Sequence, residues 1–129
     1  MPQIPPLIAI VDDDPSLRTA LTRWLRAVGW QAVAFASAEV FLQADLQQSV
    51  GCLLLDLELP GMSGLALLEH LEALDSTLSV IVITGREDVL LRLPATQTEV
   101  VAYLRKPLDE QALLQALQRA MGQQASEET

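Results

Sequence analysis

The stretch Cys52-Leu53-Leu54-Leu55-Asp56-Leu57-Glu58-Leu59-Pro60-Gly61-Met62-Ser63-Gly64 decides the fold. A run of apolar residues ends on a carboxylate and breaks at once into a Pro-Gly turn. A short, continuously apolar segment bounded by turn signals suits a strand buried on both faces, as in the interior of a parallel sheet. Asp56 then stands at the carboxyl end of that strand, the edge at which open α/β sheets hold their ligands.

The same pattern recurs on both sides of this stretch. Leu7-Ile8-Ala9-Ile10-Val11 reads as a first buried strand and runs straight into Asp12-Asp13-Asp14-Pro15. Asp14 is placed to cap a helix that has Pro15 at its first position. Leu17, Ala20, Leu21, Trp24, Leu25 and Val28 follow at helical spacing, and Gly29 supplies a stop. Residues 30–35 read as a second strand, and Ser37 as the cap of a helix carrying Val40, Phe41 and Ala44 on one face. Beyond Gly64, Leu67, Leu68, Leu71 and Leu74 mark a third helix.

Residues 78–84 form a fourth strand, rich in β-branched side chains. Residues 100–104 form a fifth and lead into Arg105-Lys106-Pro107. Asp109 can cap a last helix with Leu113, Ala116, Leu117 and Ala120 inward, expected to stop near Gly122. A fourth helix is expected to be short or irregular, because residues 87–93 can start one but Pro94 blocks its ordinary continuation. Strands alternating with helices predict an α/β fold, a doubly wound parallel sheet of five strands. One domain is expected over residues 1–122, followed by a polar tail over 123–129.

Composition narrows the class. A chain of 129 residues suffices for one domain with a real core, and with half its residues hydrophobic and only 4% aromatic that core is aliphatic. Eight basic residues against 17 acidic ones give a formal net charge of −9. This balance argues against direct binding of nucleic acid, for want of a basic patch to neutralise phosphates. It suits a divalent cation or a basic partner surface. No apolar run reaches membrane-spanning length and no signal-peptide pattern is present, so no membrane association is expected and the protein reads as cytoplasmic. Cys52, the one cysteine, lies inside an apolar run and reads as a small buried hydrophobe.

Each strand end carries something polar: Asp12 and Asp13 on the first, Asp56 on the third, Thr84 on the fourth, and Lys106 after the fifth. In a parallel sheet these ends share one edge, so the five side chains can converge. Any one alone is uninformative, since acidic pairs in loops are commonly just solvated. Their coincidence at successive strand ends is the signal. The carboxylates repel when packed together, on the order of 4 kcal/mol for two charges ~4 Å apart at an effective dielectric near 20, and a hard cation with oxygen ligands relieves this. His70 falls in the third helix, away from this edge, and reads as a solvated helix residue.

Over nearly its full length the chain resembles the receiver domain of bacterial two-component response regulators. The matching motifs are Val11-Asp12-Asp13-Asp14, Leu55-Asp56-Leu57-Glu58-Leu59-Pro60-Gly61-Met62-Ser63-Gly64, Ile83-Thr84-Gly85 and Lys106-Pro107. Within that family it looks most like receivers that precede helix-turn-helix (LuxR-type) output domains of nitrogen-fixation regulators. The resemblance implies a CheY-like, flavodoxin-like strand order of 2-1-3-4-5. It implies that Asp56 accepts a phosphoryl group from a sensor histidine kinase, a phosphotransfer protein or a small phosphodonor, with Thr84 and Lys106 assisting. It also implies Mg²⁺ held by Asp13, Asp56 and the backbone carbonyl of Glu58, with Asp12 helping through water. Thr84 and Tyr103 are the implied switch residues, acting on the face formed by the fourth helix, fifth strand and last helix. That face would control an output domain or partner protein, transcriptional in its effect, or a phosphorylation-dependent homodimer. The protein is expected to be no enzyme beyond self-catalysed phosphotransfer and autodephosphorylation.

The chain departs from the family's usual pattern at Pro94 and residues 96–99, where an alanine-glycine-alanine run is usual, and this puts output through that face in question. Glu58 and Arg86 lie two residues after Asp56 and Thr84, and their opposite charges suggest a pair across the site that shields an acyl phosphate from water. Two other readings stay open at this point. One is a phosphorylation-independent pseudo-receiver. The other is a small phosphohydrolase of the haloacid-dehalogenase type, which Asp56-Leu57-Glu58 narrowly misses and the chain's brevity disfavours.

Overall fold

A computed structural model of the protein describes residues 7–46, 49–74, 78–85 and 100–127. Its elements in chain order are β1 (Leu7–Val11), α1 (Pro15–Ala27), β2 (Gln31–Phe35), α2 (Ala38–Ala44), β3 (Val50–Asp56), α3 (Gly64–Ala73), β4 (Ser79–Thr84), β5 (Val100–Arg105) and α4 (Glu110–Glu127). The five strands form one parallel sheet in the order β2-β1-β3-β4-β5. The expected fourth helix at residues 87–93, with Arg86 and Pro94, lies outside the described residues.

The period-2 alternation of strand side chains builds two cores from one sheet. Ile8 and Ile10, Cys52 and Leu54, and Ile81 and Ile83 face α1 and α4, packing with Leu21, Leu25, Leu113, Ala116, Leu117 and Ala120. The intervening Ala9, Val11, Leu53, Leu55, Val80 and Val82 face α2 and α3, packing with Phe41, Leu67, Leu68 and Leu71. Every residue of β3 and β4 is buried, which is why both read as continuous apolar runs. Cys52 belongs to this core, and burial pushes its thiol up to about 12, far from a reactive thiolate.

Local signals place the helix starts. Asp14 Oδ1 accepts from the Ser16 N–H at 2.9 Å, Ser37 Oγ from Val40 N at 3.1 Å, Ser63 Oγ from Ala66 N at 3.1 Å, and Asp109 Oδ2 from Ala112 N at 2.9 Å. Each oxygen satisfies an amide that the helix leaves unpaired.

Some expectations fail for identifiable reasons. On α1, Ala20 and Val28 are exposed, while Leu21 and Leu25 carry the buried face. On α2 the cap at Ser37 turns Ala38 and Phe41 inward, leaving Val40 a hundred degrees away in solvent and Ala44 exposed at the last turn. Leu74 lies past the end of α3 as its C-cap and is 60% exposed. Gly122 does not stop the last helix, which continues to Glu127. Its φ is not left-handed, and the residues after it are ordinary helix formers, so one interior glycine costs only about 1 kcal/mol relative to alanine.

Gly64, by contrast, is required. Its N–H donates to the Leu57 carbonyl at 3.2 Å, and a Cβ there would lie 2.6 Å from Leu57 Cα and overlap the Asp56 carbonyl. Gly64→Ala should therefore lower stability by about 1–3 kcal/mol. Gly122→Ala, with open space around it, should raise stability by about 0.4–1 kcal/mol. Urea unfolding midpoints of the two variants check both signs.

Candidate functional site

Sheet register brings the polar strand ends together. Val11 pairs with Leu55, so Asp12 emerges level with Asp56. Asp56 pairs with Ile83, which puts Thr84 one step beyond on β4. Thr84 in turn pairs with Arg105, which puts Lys106 one step beyond on β5, and the Lys106 N–H bonds the Thr84 carbonyl at 2.9 Å. Asp12, Asp13 and Asp56 thereby offer carboxylate oxygens that all lie within 4.8 Å of one another, Asp13 exposed and the other two buried. Lys106 Nζ stands 2.9 Å from Asp12 Oδ2 and donates to Asp56 Oδ2 at 3.1 Å.

Each carboxylate is oriented by main chain. Asp12 Oδ1 accepts from Asp14 N at 2.9 Å, and Asp56 Oδ1 from Glu58 N at 2.9 Å. The backbone of Asp12 is held as well: its N–H reaches Phe35 O at 3.2 Å, and Arg18 Nη1 donates to its carbonyl at 2.9 Å. From α2, Glu39 Oε2 accepts from Met62 N at 3.2 Å and so steadies the loop between β3 and α3.

Electrostatics leave the cluster unbalanced. Burial raises the Asp56 carboxyl above its ordinary value, the Glu58 N–H opposes that, the neighbouring Asp12 adds to it, and Lys106 only partly offsets the sum. Burial alone would lower the Lys106 ammonium, but its contacts with Asp12 and Asp56 outweigh this and hold it above the ordinary lysine value. Lys106 is thus firmly charged, while Asp56, 3% exposed, bears charge at a cost. Asp12 Oδ2 is buried and, the Lys106 ion pair apart, has no aligned hydrogen-bond donor. Three carboxylates within reach of one another, two buried and one, Asp13, exposed to solvent, fit a hard divalent cation that retains water ligands.

Thr84 is fully buried at the end of β4, and its Oγ1 donates to Glu58 Oε1 at 3.0 Å. Tyr103, opposite Val82 on β5, is 46% exposed. His70 is exposed on α3. Because Arg86 lies outside the described residues, so does its pairing with Glu58. Three contributors were not expected from sequence: the Arg18 clamp on Asp12, the Glu39 brace on the β3–α3 loop, and the Thr84–Glu58 bond. Arg18 follows the acidic pair by one helical turn and a half, a spacing that signals a clamp only once the loop's path is known.

The chain matches the response regulator receiver domain family over residues 8–118. Nodulation protein W of Bradyrhizobium diazoefficiens is 39% identical over 111 residues, covering 86% of this chain and 49% of that protein. The transcriptional regulatory protein FixJ of Azorhizobium caulinodans is 35% identical over 127 residues, 98% of this chain and 60% of that one. Among solved structures, the response regulator StyR superposes with a TM-score of 0.88 at 35% identity, over 96% of this chain and 63% of that chain. FixJ-N superposes at 0.77 with 34% identity, over 89% and 92%. The chain spans about half the length of the curated relatives it matches. Among the described residues no helix is long and apolar enough to cross a membrane. The strand order, the acidic cluster at the sheet's carboxyl edge and these matches lead to one assignment: the chain belongs to the response regulator receiver domain family of two-component signalling systems.

Proposed function

We propose that this receiver is switched by phosphorylation of Asp56. The observation that carries the reading is Lys106 Nζ between Asp12 and Asp56, in a cluster where, among the described residues, one side-chain cation pairs with carboxylates of a group of three. A carboxylate is already a nucleophile and needs no general base, so the residues around Asp56 orient and neutralise rather than move protons. One Asp56 oxygen bonds to phosphorus as the donor's bond to it breaks, and the leaving group departs with that electron pair. Lys106 then pairs with the new phosphoryl oxygens, and Thr84 donates its hydroxyl to them.

Asp13 and Asp56, with the Glu58 carbonyl and Asp12 through water, are the proposed Mg²⁺ ligands. When bound, the ion supplies charge neutralisation for the incoming phosphoryl group. The donor is a sensor histidine kinase, a phosphotransfer protein or a small acyl phosphate. The response passes through Thr84 and Tyr103 to an output domain, a partner protein or a second copy of this chain. Transcriptional output is supported by the relatives' names, and a cytoplasmic setting by the reading as a whole. Autodephosphorylation returns the protein to its resting state.

Two measurements test this. Incubated with acetyl phosphate and Mg²⁺, the parent should gain one phosphoryl group by intact mass and Asp56→Asn none. Lys106→Ala should be labelled about 10²-fold more slowly, the scale for losing one preorganised charge stabiliser. Absence of labelling in the parent removes the reading.

The second measurement uses pH. Because the folded Asp56 carboxyl sits above the ordinary value of 3.8, its contribution to metal-free stability is fully present below 3.8 and is lost as pH rises through the higher folded value. Asp56→Asn should accordingly be more stable than the parent at neutral pH without metal, and the gap should close below pH 3.8. Mg²⁺ should stabilise the parent much more than the variant. Denaturation midpoints against pH, with and without the ion, read all three.

A further inference from the structure

Glu58 connects the two groups that phosphorylation must rearrange. Its N–H holds Asp56 Oδ1 at 2.9 Å, and its Oε1 accepts the Thr84 hydroxyl at 3.0 Å. Thr84 is fully buried at the end of β4, whereas Glu58 is exposed on the loop after β3. A solvent-facing glutamate held inward by a charge-assisted bond to a buried hydroxyl is an ordered arrangement, and ordering that side chain carries an entropy cost.

From this juxtaposition we infer that the Glu58 carboxylate is the off-state acceptor for Thr84, a latch that a phosphoryl group on Asp56 must displace. The inference rests on Asp56 being the phosphoacceptor. A threonine hydroxyl has one proton to donate at a time. While Glu58 Oε1 receives it, a phosphoryl oxygen cannot, so the two acceptors are mutually exclusive. The phosphoryl group also brings about two negative charges to the residue whose own amide binds Asp56. Like-charge repulsion therefore drives the Glu58 carboxylate outward at the moment Thr84 gains a new acceptor. The two effects act in the same direction, and the exposed position of Glu58 gives the released side chain water to enter. Glu58 thus sets how hard the switch is to throw, and Thr84 transmits the setting.

The test uses the whole chain with beryllium trifluoride, a non-covalent phosphoryl analogue, in saturating Mg²⁺, with affinity read by calorimetry. Glu58→Ala removes both the acceptor and the charge and should bind the analogue about tenfold more tightly, the scale of one charge-assisted hydrogen bond. Glu58→Gln keeps an acceptor oxygen without the charge and should fall between parent and alanine variant. In a Thr84→Ala background the gain from Glu58→Ala should shrink, because the bond being competed for is gone. An equal gain in both backgrounds would reduce Glu58 to a distant charge and overturn the latch.

Unchanged or weaker analogue binding by Glu58→Ala would overturn it too. So would a clear loss of affinity for Mg²⁺ alone, which would assign the side chain to the cation instead of the hydroxyl. If the parent binds no analogue, the phosphoacceptor reading falls and the latch with it. If the parent binds but the variants match it, only the latch falls. Urea midpoints of Glu58→Ala and Glu58→Gln accompany the titrations and confirm that both variants are folded.

Discussion

The carboxyl edge of this sheet depends on one ammonium group between two buried carboxylates, Lys106 Nζ at 2.9 Å from Asp12 and 3.1 Å from Asp56. Breaking a buried pair by removing one partner is costly, because it leaves an uncompensated charge away from water. Here the compensation is incomplete by construction. With Asp13 joining the cluster, three carboxylates face one ammonium among the described residues. The result is a site that holds its shape through main-chain hydrogen bonds to Asp12 and Asp56 while keeping an unmet demand for positive charge. Such a site could hold a divalent cation, whose charge would offset that of the proposed phosphoryl group.

The sheet supplies the precision. Parallel pairing fixes each strand end relative to the next, and the stagger from β3 to β4 to β5 delivers Asp56, Thr84 and Lys106 in ascending steps. A slip of one residue in any strand would turn its core side chains to the wrong layer. The site is therefore insured by the two aliphatic cores, since losing its register means forcing wholly buried residues such as Leu54 or Ile81 into the opposite core, which is packed for other side chains. Gly64 belongs to the same arrangement, because α3 can begin against the Asp56–Leu57 backbone only where no side chain intervenes.

Much of this was legible in the sequence, and what was missed has a common cause. Buried strands announce themselves as unbroken apolar runs, and the caps at Asp14, Ser37 and Asp109 are local signals acting over two or three residues. The polar residues at the strand ends were readable because each is a strand's last residue or lies within two residues after it. Failures cluster where the decisive partner is remote. Nothing near Arg18 says that its guanidinium meets the Asp12 carbonyl, or near Glu39 that it braces Met62. Val40 and Leu74 look like core positions by type, but helix phase and helix length put them in water. At Gly122 a residue that often ends helices was overruled by the helix-forming neighbours that follow it.

The most informative of the unexpected contacts is the Thr84–Glu58 bond, since sequence linked Glu58 only to Arg86, whose pairing lies outside the described residues. The difference changes the kind of role available to it. A carboxylate paired with a guanidinium at the rim screens the site from solvent and acts on the lifetime of whatever is bound. A carboxylate bonded to the buried hydroxyl of a strand end acts on the position of that hydroxyl, and so on the equilibrium between two arrangements of the sheet edge. A ligand shifts such an equilibrium only by its differential affinity for the two states. An acceptor already present in the resting state subtracts directly from that difference. In the proposed latch, Glu58 therefore competes with the phosphoryl group for the Thr84 hydroxyl, and would lower the response to weak stimulation without touching the carboxylate oxygen that accepts the group.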